Sequence, residues 1–433
     1  MKHKEFFISV LLLFPFILKA QAPLSFEKAL QLTLSNNYDI QLARVNEELA
    51  VNTASKANNG YLPTVTGSGN LNTTYYKGEN RFVNQTTSYE ATDAYNYGAS
   101  IIANYTLFNG KGRRYSYLQS KESLTLTQLQ LQQIIQNTVL ELSRLYHEVA
   151  RLEESVSTFK KSVEISKDRM ERAAYNYDYG QANKLEVLNA KVDLNTDSIA
   201  LLTGIQELEN LTRNLNFVMG QEVDQQLTVD KAVEIQQNLI QEEVLAASAK
   251  ENLELKLAKS NLQLNQYGIG SAKSSWLPSL NANAGYIYNG QENPNGAFVI
   301  GSNNSGPQAG LTLSWSLFNG ANTTAIKNAK LNVKIREIEG QALNQKIRSQ
   351  ALNAFTAYRN FLFILRAQTD NVATAQDNFN RSESAYQMGQ LNSIDFRQAQ
   401  LNLLNVEQAL SKAKYDAKNA ELQVLAVMGN LIK

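Results

Sequence analysis

Two periodicities divide the chain. Tyr95, Tyr97, Ala99, Ile101, Ala103, Tyr105 and Leu107 occupy one parity, while Asn96, Gly98, Ser100, Asn104 and Thr106 hold most of the other. Ala309, Leu311, Leu313, Trp315 and Leu317 alternate in the same way with Gln308, Gly310, Thr312, Ser314 and Ser316. A period of two puts apolar side chains on one face of a strand. Elsewhere Leu142, Leu145, Val149, Leu152, Val156, Phe159 and Val163 follow a 3,4 spacing. Ala351, Ala354, Tyr358, Phe361, Leu365, Gln368, Val372, Ala375 and Phe379 repeat it. That spacing is a heptad seam. Residues 113–176 contain neither proline nor glycine, so the pattern predicts one helix of roughly 62 residues, about 93 Å long at 1.5 Å per residue. A coiled-coil rod or tube accommodates such a helix; a compact domain does not.

The same series of elements occurs twice. Asn37-Tyr38-Asp39-Ile40-Gln41-Leu42-Ala43 returns as Asn252-Leu253-Glu254-Leu255-Lys256-Leu257-Ala258, and Leu62-Pro63 as Leu277-Pro278, both 215 positions later. Leu107-Phe108-Asn109-Gly110 returns after 210 positions, and Gly180-Gln181 and Val218-Met219-Gly220 after 209. A repeat this long exceeds any solenoid unit, whose periods run to roughly 50 residues. It reads as two copies of one large structural unit. The first spans 21–220: helix 25–60, β-hairpin 62–108, long helix 113–176, tip turn 177–182 and return helix 183–219. A connector, an equatorial region, covers 221–239. The second repeat spans 240–433: helix 240–275, hairpin 277–318, long helix 321–386, tip turn 387–391 and return helix 392–429. Polar loops are expected between the strands, at Lys77–Asp93 and Gly290–Pro307, where Gly, Asn and Ser collect.

Residues 1–20 read as an export signal, with Lys2 and Lys4 before an apolar run from Phe6 to Leu18 and cleavage expected after Ala20. Removing Lys2, Lys4, Lys19 and Glu5 with this leader turns the formal charge of +1 into −1. A near-neutral chain gives no basic footprint for nucleic acid. It contains no cysteine, which excludes disulfide scaffolds, thiolate metal sites and a lipid-attachment cysteine. No stretch after the leader has 18 continuous apolar residues, so a helical membrane span is not expected.

The alternating strands are compatible with two settings. One is an outer-membrane barrel, apolar outside and polar inside, with Tyr95, Tyr97, Ile101, Tyr105, Leu311, Leu313 and Trp315 facing lipid. The other is a hairpin half-buried on a soluble core. In lipid, four strands cannot close by themselves, because open edges leave backbone groups unpaired. Three chains would supply twelve strands and two chains eight.

The arrangement resembles the TolC family of outer-membrane efflux proteins. The residues that carry the resemblance are Ser25-Phe26-Glu27-Lys28-Ala29-Leu30 through Asn36-Asn37, the Leu-Pro entry and Leu-Phe-Asn-Gly exit of each hairpin, and the two tips. The first tip is Tyr179-Gly180-Gln181 continuing to Leu185-Glu186-Val187-Leu188-Asn189-Ala190. The second is Tyr386-Gln387-Met388-Gly389-Gln390 continuing to Asp395-Phe396-Arg397-Gln398-Ala399-Gln400. The resemblance implies a mixed α and β channel-tunnel. Three chains would share a 12-stranded barrel in the outer membrane of a Gram-negative bacterium and a 12-helix periplasmic tunnel. The tips would meet a periplasmic adaptor (membrane fusion protein) linked to an inner-membrane transporter. The protein would be a passive exit duct, not an enzyme, with no cofactor and no metal.

The resemblance places Glu186, Asp395 and Gln398 at a periplasmic gate, where rings of carboxylates would favour cations. Glu186 and Asp395 also stand three residues after Asn183 and Asn392, the spacing of a capping box. The two roles are compatible. Gln398 stands where a second acid can occur and Leu391 where a basic partner can, which argues against a gate locked by a salt bridge. Tyr177, Tyr179, Gly180, Gln181, Tyr386, Gly389 and Gln390 would dock the adaptor; the tyrosines, Tyr175 among them, would otherwise pack the end of the coiled coil. His147, the only histidine after the leader, is poor metal-ligand material alone. No nucleophile elbow, phosphate loop or zinc-binding His pair is present. A periplasmic coiled-coil spacer or adhesin-like stalk without a pore is the competing structural reading.

Overall fold

The computed structural model describes residues 23–293 and 299–431; the expected leader, 1–20, lies outside them. Helices α1 (Phe26–Asn36) and α2 (Tyr38–Thr53) lead through a wide turn at Ala57–Tyr61 into strands β1 (Thr64–Arg81) and β2 (Thr86–Asn109). Helix α3 (Gly112–Asp178) follows and α4 (Lys184–Val218) returns. The second repeat comprises α5 (Gln241–Glu251), α6 (Leu253–Ser274), β3 (Ser279–Glu292), β4 (Gly301–Ser314), α7 (Gly320–Gln387) and α8 (Ser393–Val427). At 67 and 68 residues, α3 and α7 each extend about 100 Å.

The chain forms two compact units, and neither coincides with one sequence repeat. The first gathers residues through Tyr38, Asn137–Leu239 and Phe355–Gln423; the second gathers Asp39–Gln136, Ile240–Ala354 and the chain from Val424 onward.

The single helices expected at 25–60 and 240–275 are each broken in two, at Asn37 and Asn252. Both asparagines are extended, with φ, ψ of −61°, 129° and −57°, 131°. Their side chains explain the breaks. Asn37 Nδ2 donates to Val218 O at 2.9 Å, and Asn252 Nδ2 donates to Val427 O at 3.0 Å. Each asparagine leaves its own helix and satisfies a last-turn carbonyl that the return helix of its repeat leaves without an internal partner. Gly220 and Gly429 close the same junctions with φ of +64° and +74°. A Cβ on either would stand 2.4 Å from a backbone oxygen, Asn36 O or Glu251 O.

In the first unit, Leu142, Leu145, Tyr146, Val149 and Ala150 of α3 pack with Ala29, Leu215, Met219, Val229 and Tyr415. The connector is threaded onto this core. Leu24 pairs with Val229 as a parallel bridge, and Tyr146 OH donates to Leu24 O at 2.7 Å. Tyr358 OH donates to Gln236 O farther along the connector.

In the second unit the four strands form one antiparallel sheet in chain order. The helices beside it keep that order. Gln128 of α3 bonds Glu47 of α2 at 3.0 Å, Ser260 of α6 bonds Glu122 of α3 at 2.6 Å, and Lys346 of α7 pairs with Glu254 of α6 at 3.6 Å.

The expected polar loops are largely strand. β1 runs to Arg81 and β2 starts at Thr86, joined across a tight turn with Phe82 N–H on Gln85 O at 2.7 Å. The polarity of this stretch reflects exposure, not irregularity: Lys77, Glu79, Arg81 and Thr86 are exposed and yet extended. In the second hairpin β3 reaches Glu292 and β4 begins at Gly301, with 294–298 outside the described residues. Conversely β4 stops at Ser314, so Trp315 lies past the strand, where its Nε1 donates to Trp276 O at 3.1 Å.

Gly220 and Gly180 share a left-handed φ, but a Cβ on Gly180 would meet nothing within 4 Å. Both alanine variants therefore carry backbone strain of about 1 kcal/mol, and Gly220→Ala adds a steric clash. Thermal melts in detergent should show the larger drop for Gly220→Ala; equal drops would contradict the close packing against Asn36.

Candidate functional site

Both helical hairpins end in the same turn. At the first, Gly180 (φ +69°) follows α3; Gln181 N–H and Ala182 N–H both donate to Asn176 O, at 2.7 and 3.1 Å. At the second, Gly389 (φ +74°) follows α7; Gln390 N–H and Leu391 N–H donate to Ala385 O at 2.8 and 3.3 Å. A left-handed glycine that lets N–H groups fold back on the last helical carbonyls is the usual helix stop. Like Gly180, Gly389 has open space where a Cβ would stand.

The return helices start on asparagine caps. Asn183 Oδ1 accepts from Glu186 N–H at 3.1 Å, and Asn392 Oδ1 accepts from Asp395 N–H at 2.8 Å. Asp395 Oδ2 also accepts from Asn392 Nδ2 at 2.8 Å, so this acid takes part in the cap, where the helix dipole favours it. Glu186, Asp395 and Gln398 are all exposed, and Gln398 Nε2 donates to Asn402 Oδ1 at 2.9 Å. Tyr175, Tyr177 and Tyr179 are exposed as well. Tyr386 is placed differently: half-buried, its ring stacks on Phe396 at 4.7 Å with the Arg172 guanidinium 5.3 Å from its centre. It holds the second tip together from inside.

Behind the tips the structure assembles a buried polar cluster that the sequence patterns did not reveal. Arg397 of α8 grips Asp197 of α4 in a two-pronged pair at 2.7 and 2.8 Å. Ser162 Oγ, at 3.1 Å, and Ser166 Oγ of α3 donate to the same carboxylate. Gln400 Nε2 donates to Ser162 O and Oγ at 3.1 Å, and Arg169 pairs with Asp193 at 3.1 Å while reaching Ser393 O. Three helices thus meet on one charge pair. Burial by itself would raise the Asp197 carboxyl, but the bonds from Arg397 and the serines outweigh it and hold the group below the usual aspartate range. The signal was present in the spacing: Val187, Ala190, Leu194, Asp197, Leu201 and Gly204 form a heptad seam on α4 with one acid in it.

The α3 seam also moves. Leu142, Leu145, Val149, Leu152 and Val156 are buried as expected, but beyond them Phe159 and Val163 are half-buried and Ser162, Ser166 and Arg169 are fully buried. A straight helix drifts about 20° per heptad from a 3.5 repeat, which rotates a new face inward. His147 is core: it stacks on Phe26 and Tyr415 at 5.9 and 5.7 Å and its Nδ1 meets Asn419 Oδ1 at 2.8 Å. Burial pushes its pKa down.

From Ile101 toward the helices the sheet largely sorts its side chains by face, whereas farther out Glu292, Asn303 and Ser305 share the face of Tyr95 and Tyr97. Gly67, Ile101, Tyr286 and Pro307 stand opposite one another across the four strands, as do Val65, Ala103, Ala284 and Ala309. Tyr95, Tyr97, Tyr105, Leu311 and Leu313 share that face by parity. The other face carries Thr64, Asn104, Asn283 and Gly310 in one row. Polar contacts cross it, with Ser68 Oγ and Ser100 Oγ 2.7 Å apart and Thr106 Oγ1 donating to Asn281 Oδ1 at 2.8 Å. The chain therefore has a two-faced sheet of one apolar and one polar side, joined to helices that end in paired glycine turns.

That is the build of an outer-membrane channel protein, and the comparisons give the family. The sequence model of the outer membrane efflux protein family matches residues 29–221 and 244–430; the chain belongs to this family. Outer membrane protein TolC of Vibrio cholerae is 23% identical over 305 residues, 68% of either chain. Outer membrane efflux protein BepC of Brucella suis is 21% identical over 431 residues, 99% of this chain and 91% of BepC. Among solved structures, the Campylobacter jejuni CmeC outer membrane channel superposes with a TM-score of 0.77 at 17% identity, over 94% of this chain and 86% of that one. The open state of the Neisseria gonorrhoeae MtrE outer membrane channel gives 0.70 at 16% identity, over 94% and 89%. The protein is an outer-membrane exit duct of a Gram-negative cell with a periplasmic tunnel, and its family is one of transport ducts.

Asp197→Ala would leave the Arg397 charge buried without its partner, at a cost of about 3–5 kcal/mol. Because the folded carboxyl titrates below the usual aspartate value, near 4, the pair stabilises fully above that value. Its contribution is lost as pH falls through the lower, folded value. The gap between acid melts of wild type and Asp197→Ala should therefore be full above about pH 4 and shrink progressively as pH falls below it. A gap independent of pH would show that the pair does not carry the stability difference.

Proposed function

We propose that three copies of the chain close a 12-stranded barrel and a 12-helix tunnel, through which substrates pass passively to the outside. One observation carries this reading: an apolar face that crosses four strands at the rows of Ile101 and Ala103, with outer edges on β1 and β4 that pair with nothing among the described residues. Such a sheet is stable in hydrocarbon only when other copies complete it. Tyr95, Tyr97, Ile101, Tyr105, Leu311 and Leu313 then face outer-membrane lipid, with Trp315 just past the strand, and the Asn- and Thr-rich face lines water. Once the leader 1–20 is removed, the repeats 21–220 and 240–433 and the connector 221–239 are the parts from which the duct is built.

At the other end, the exposed Tyr177, Tyr179, Gly180 and Gln181 of one tip and Gly389 and Gln390 of the other form the surface for a periplasmic adaptor. Tyr386 supports that surface from below through Phe396. The adaptor couples the duct to an inner-membrane transporter that supplies the energy. Glu186 and Asp395, exposed at the starts of the return helices, make acidic rings at the periplasmic mouth, with Gln398 one turn farther along α8. Three like charges around one opening attract cations and repel anions.

Conductance of the purified protein in planar bilayers tests this. The Asp395→Asn/Glu186→Gln variant should lower the preference for K⁺ over Cl⁻ while the channel still inserts. Unchanged selectivity would remove both carboxylates from the gate. Release of the protein from membranes by carbonate would favour a spacer over a pore.

A further inference from the structure

The internal repeat contains a template for a contact that one chain cannot make by itself. Within the chain, α3 packs on α6: Ser260 Oγ donates to Glu122 Oε1 at 2.6 Å, and the Tyr115 ring occupies the space a side chain on Gly270 would need. Tyr115 precedes Glu122 whereas Gly270 follows Ser260, so the two helices run antiparallel. Leu126 and Leu129 continue the Glu122 face of α3 and are half-buried.

The repeat maps this contact onto the outer helices of the set. Helices after the hairpins correspond at a shift of 209, as Leu142 to Ala351 and Gly180 to Gly389. Helices before the hairpins correspond at 215, as Asn37 to Asn252. Glu122, Leu126 and Leu129 of α3 thus become Leu331, Ile335 and Ile338 of α7. Ser260 and Leu257 of α6 become Val45 and Leu42 of α2. These five residues are 49–64% exposed. They lie on α2 and α7, the first and last helices in the order α2, α3, α6, α7, which lead into and out of the edge strands β1 and β4.

We infer that α7 of one copy packs antiparallel on α2 of the next, in the register that sets Leu331 against Val45 and Ile335 against Leu42. The occupant of each exposed seam is a second copy of this chain, because the same chain already contains the complementary helix in the complementary register. The polar pair Glu122–Ser260 inside the chain is replaced by an apolar pair between copies. The two faces differ, so the contact is head-to-tail and propagates into a ring. This inference rests on the trimeric reading above and gives it a residue-level register.

The chain contains no cysteine, so introduced ones report cleanly. Facing seam positions suit the 4.4–6.8 Å Cα separation of a disulfide. The variant Val45→Cys/Leu331→Cys, oxidised in membranes, should give one-, two- and three-chain species on a non-reducing gel, the last persisting at full oxidation. The control Glu122→Cys/Ser260→Cys should close within the chain and leave the mass unchanged. The register control Val45→Cys/Ile338→Cys, two turns out of step, should not link. A trimer in detergent, measured by light scattering, that Val45→Cys/Leu331→Cys fails to link would overturn the contact and leave the trimeric duct standing. Linking by Val45→Cys alone would mean that like faces meet, which also overturns it. A monomer by light scattering would overturn both readings.

Discussion

A sheet edge carries a row of N–H and C=O groups, and hydrocarbon offers them no partners. That constraint organises the rest of the molecule. Four strands give one chain an apolar face and a polar face but leave β1 and β4 open. In the proposed duct, closure comes from further copies, so the chain is built for repetition. The helices follow suit: each strand continues a helix, the helices keep strand order, and the outermost ones carry apolar seams. Even the breaks at Asn37 and Asn252 belong to this scheme. Each lets a helix leading to a hairpin change direction where the return helix of its repeat ends, without leaving that helix's last carbonyls unpaired.

Away from the sheet the helical packing is mixed in character. The upper part of α3 packs with aliphatic side chains and Tyr146, as a coiled coil should. Nearer the tips the seam turns polar, and Arg397, Asp197, Ser162, Ser166 and Gln400 take over. Buried ion pairs add less stability than apolar packing of the same volume. They are specific in geometry, however: a two-pronged pair holds α8 against α4 in one register, where Leu on Leu would tolerate sliding. The region next to the tips is thus fastened by directional bonds, whereas the region near the connector is fastened by shape.

Much of this was legible in the sequence. The absence of glycine and proline from 113–176 marked α3, and Gly180 and Gly389 marked its end and that of α7. Alternation around Tyr97 and Leu311 marked one face of the sheet. What failed to show were features whose cause lies far along the chain. Asn37 reads as an ordinary residue in a helical run until its partner, Val218, is known. Arg397 and Asp197, 200 positions apart, read as solvated charges until α8 is laid on α4. The polar stretch Lys77–Asp93 read as loop because composition reports exposure more directly than backbone conformation, and an exposed strand can be both polar and regular.

The contrast between the observed Glu122–Ser260 contact and the proposed Leu331–Val45 contact bears on how the duct comes together. Two contacts of the same geometry face different entropic demands. The first joins segments already tethered in one polypeptide, where the effective concentration of one for the other is of millimolar order or higher. A hydrogen bond suffices there, because the tether has already confined the partners. The second must draw together chains that diffuse independently and lose translational freedom on meeting. It is there that the sequence has placed leucine, isoleucine and valine. Duplicating the unit within one gene leaves fewer encounters to close the proposed ring, and Leu331, Ile335, Ile338, Val45 and Leu42 are exposed where one still has to happen.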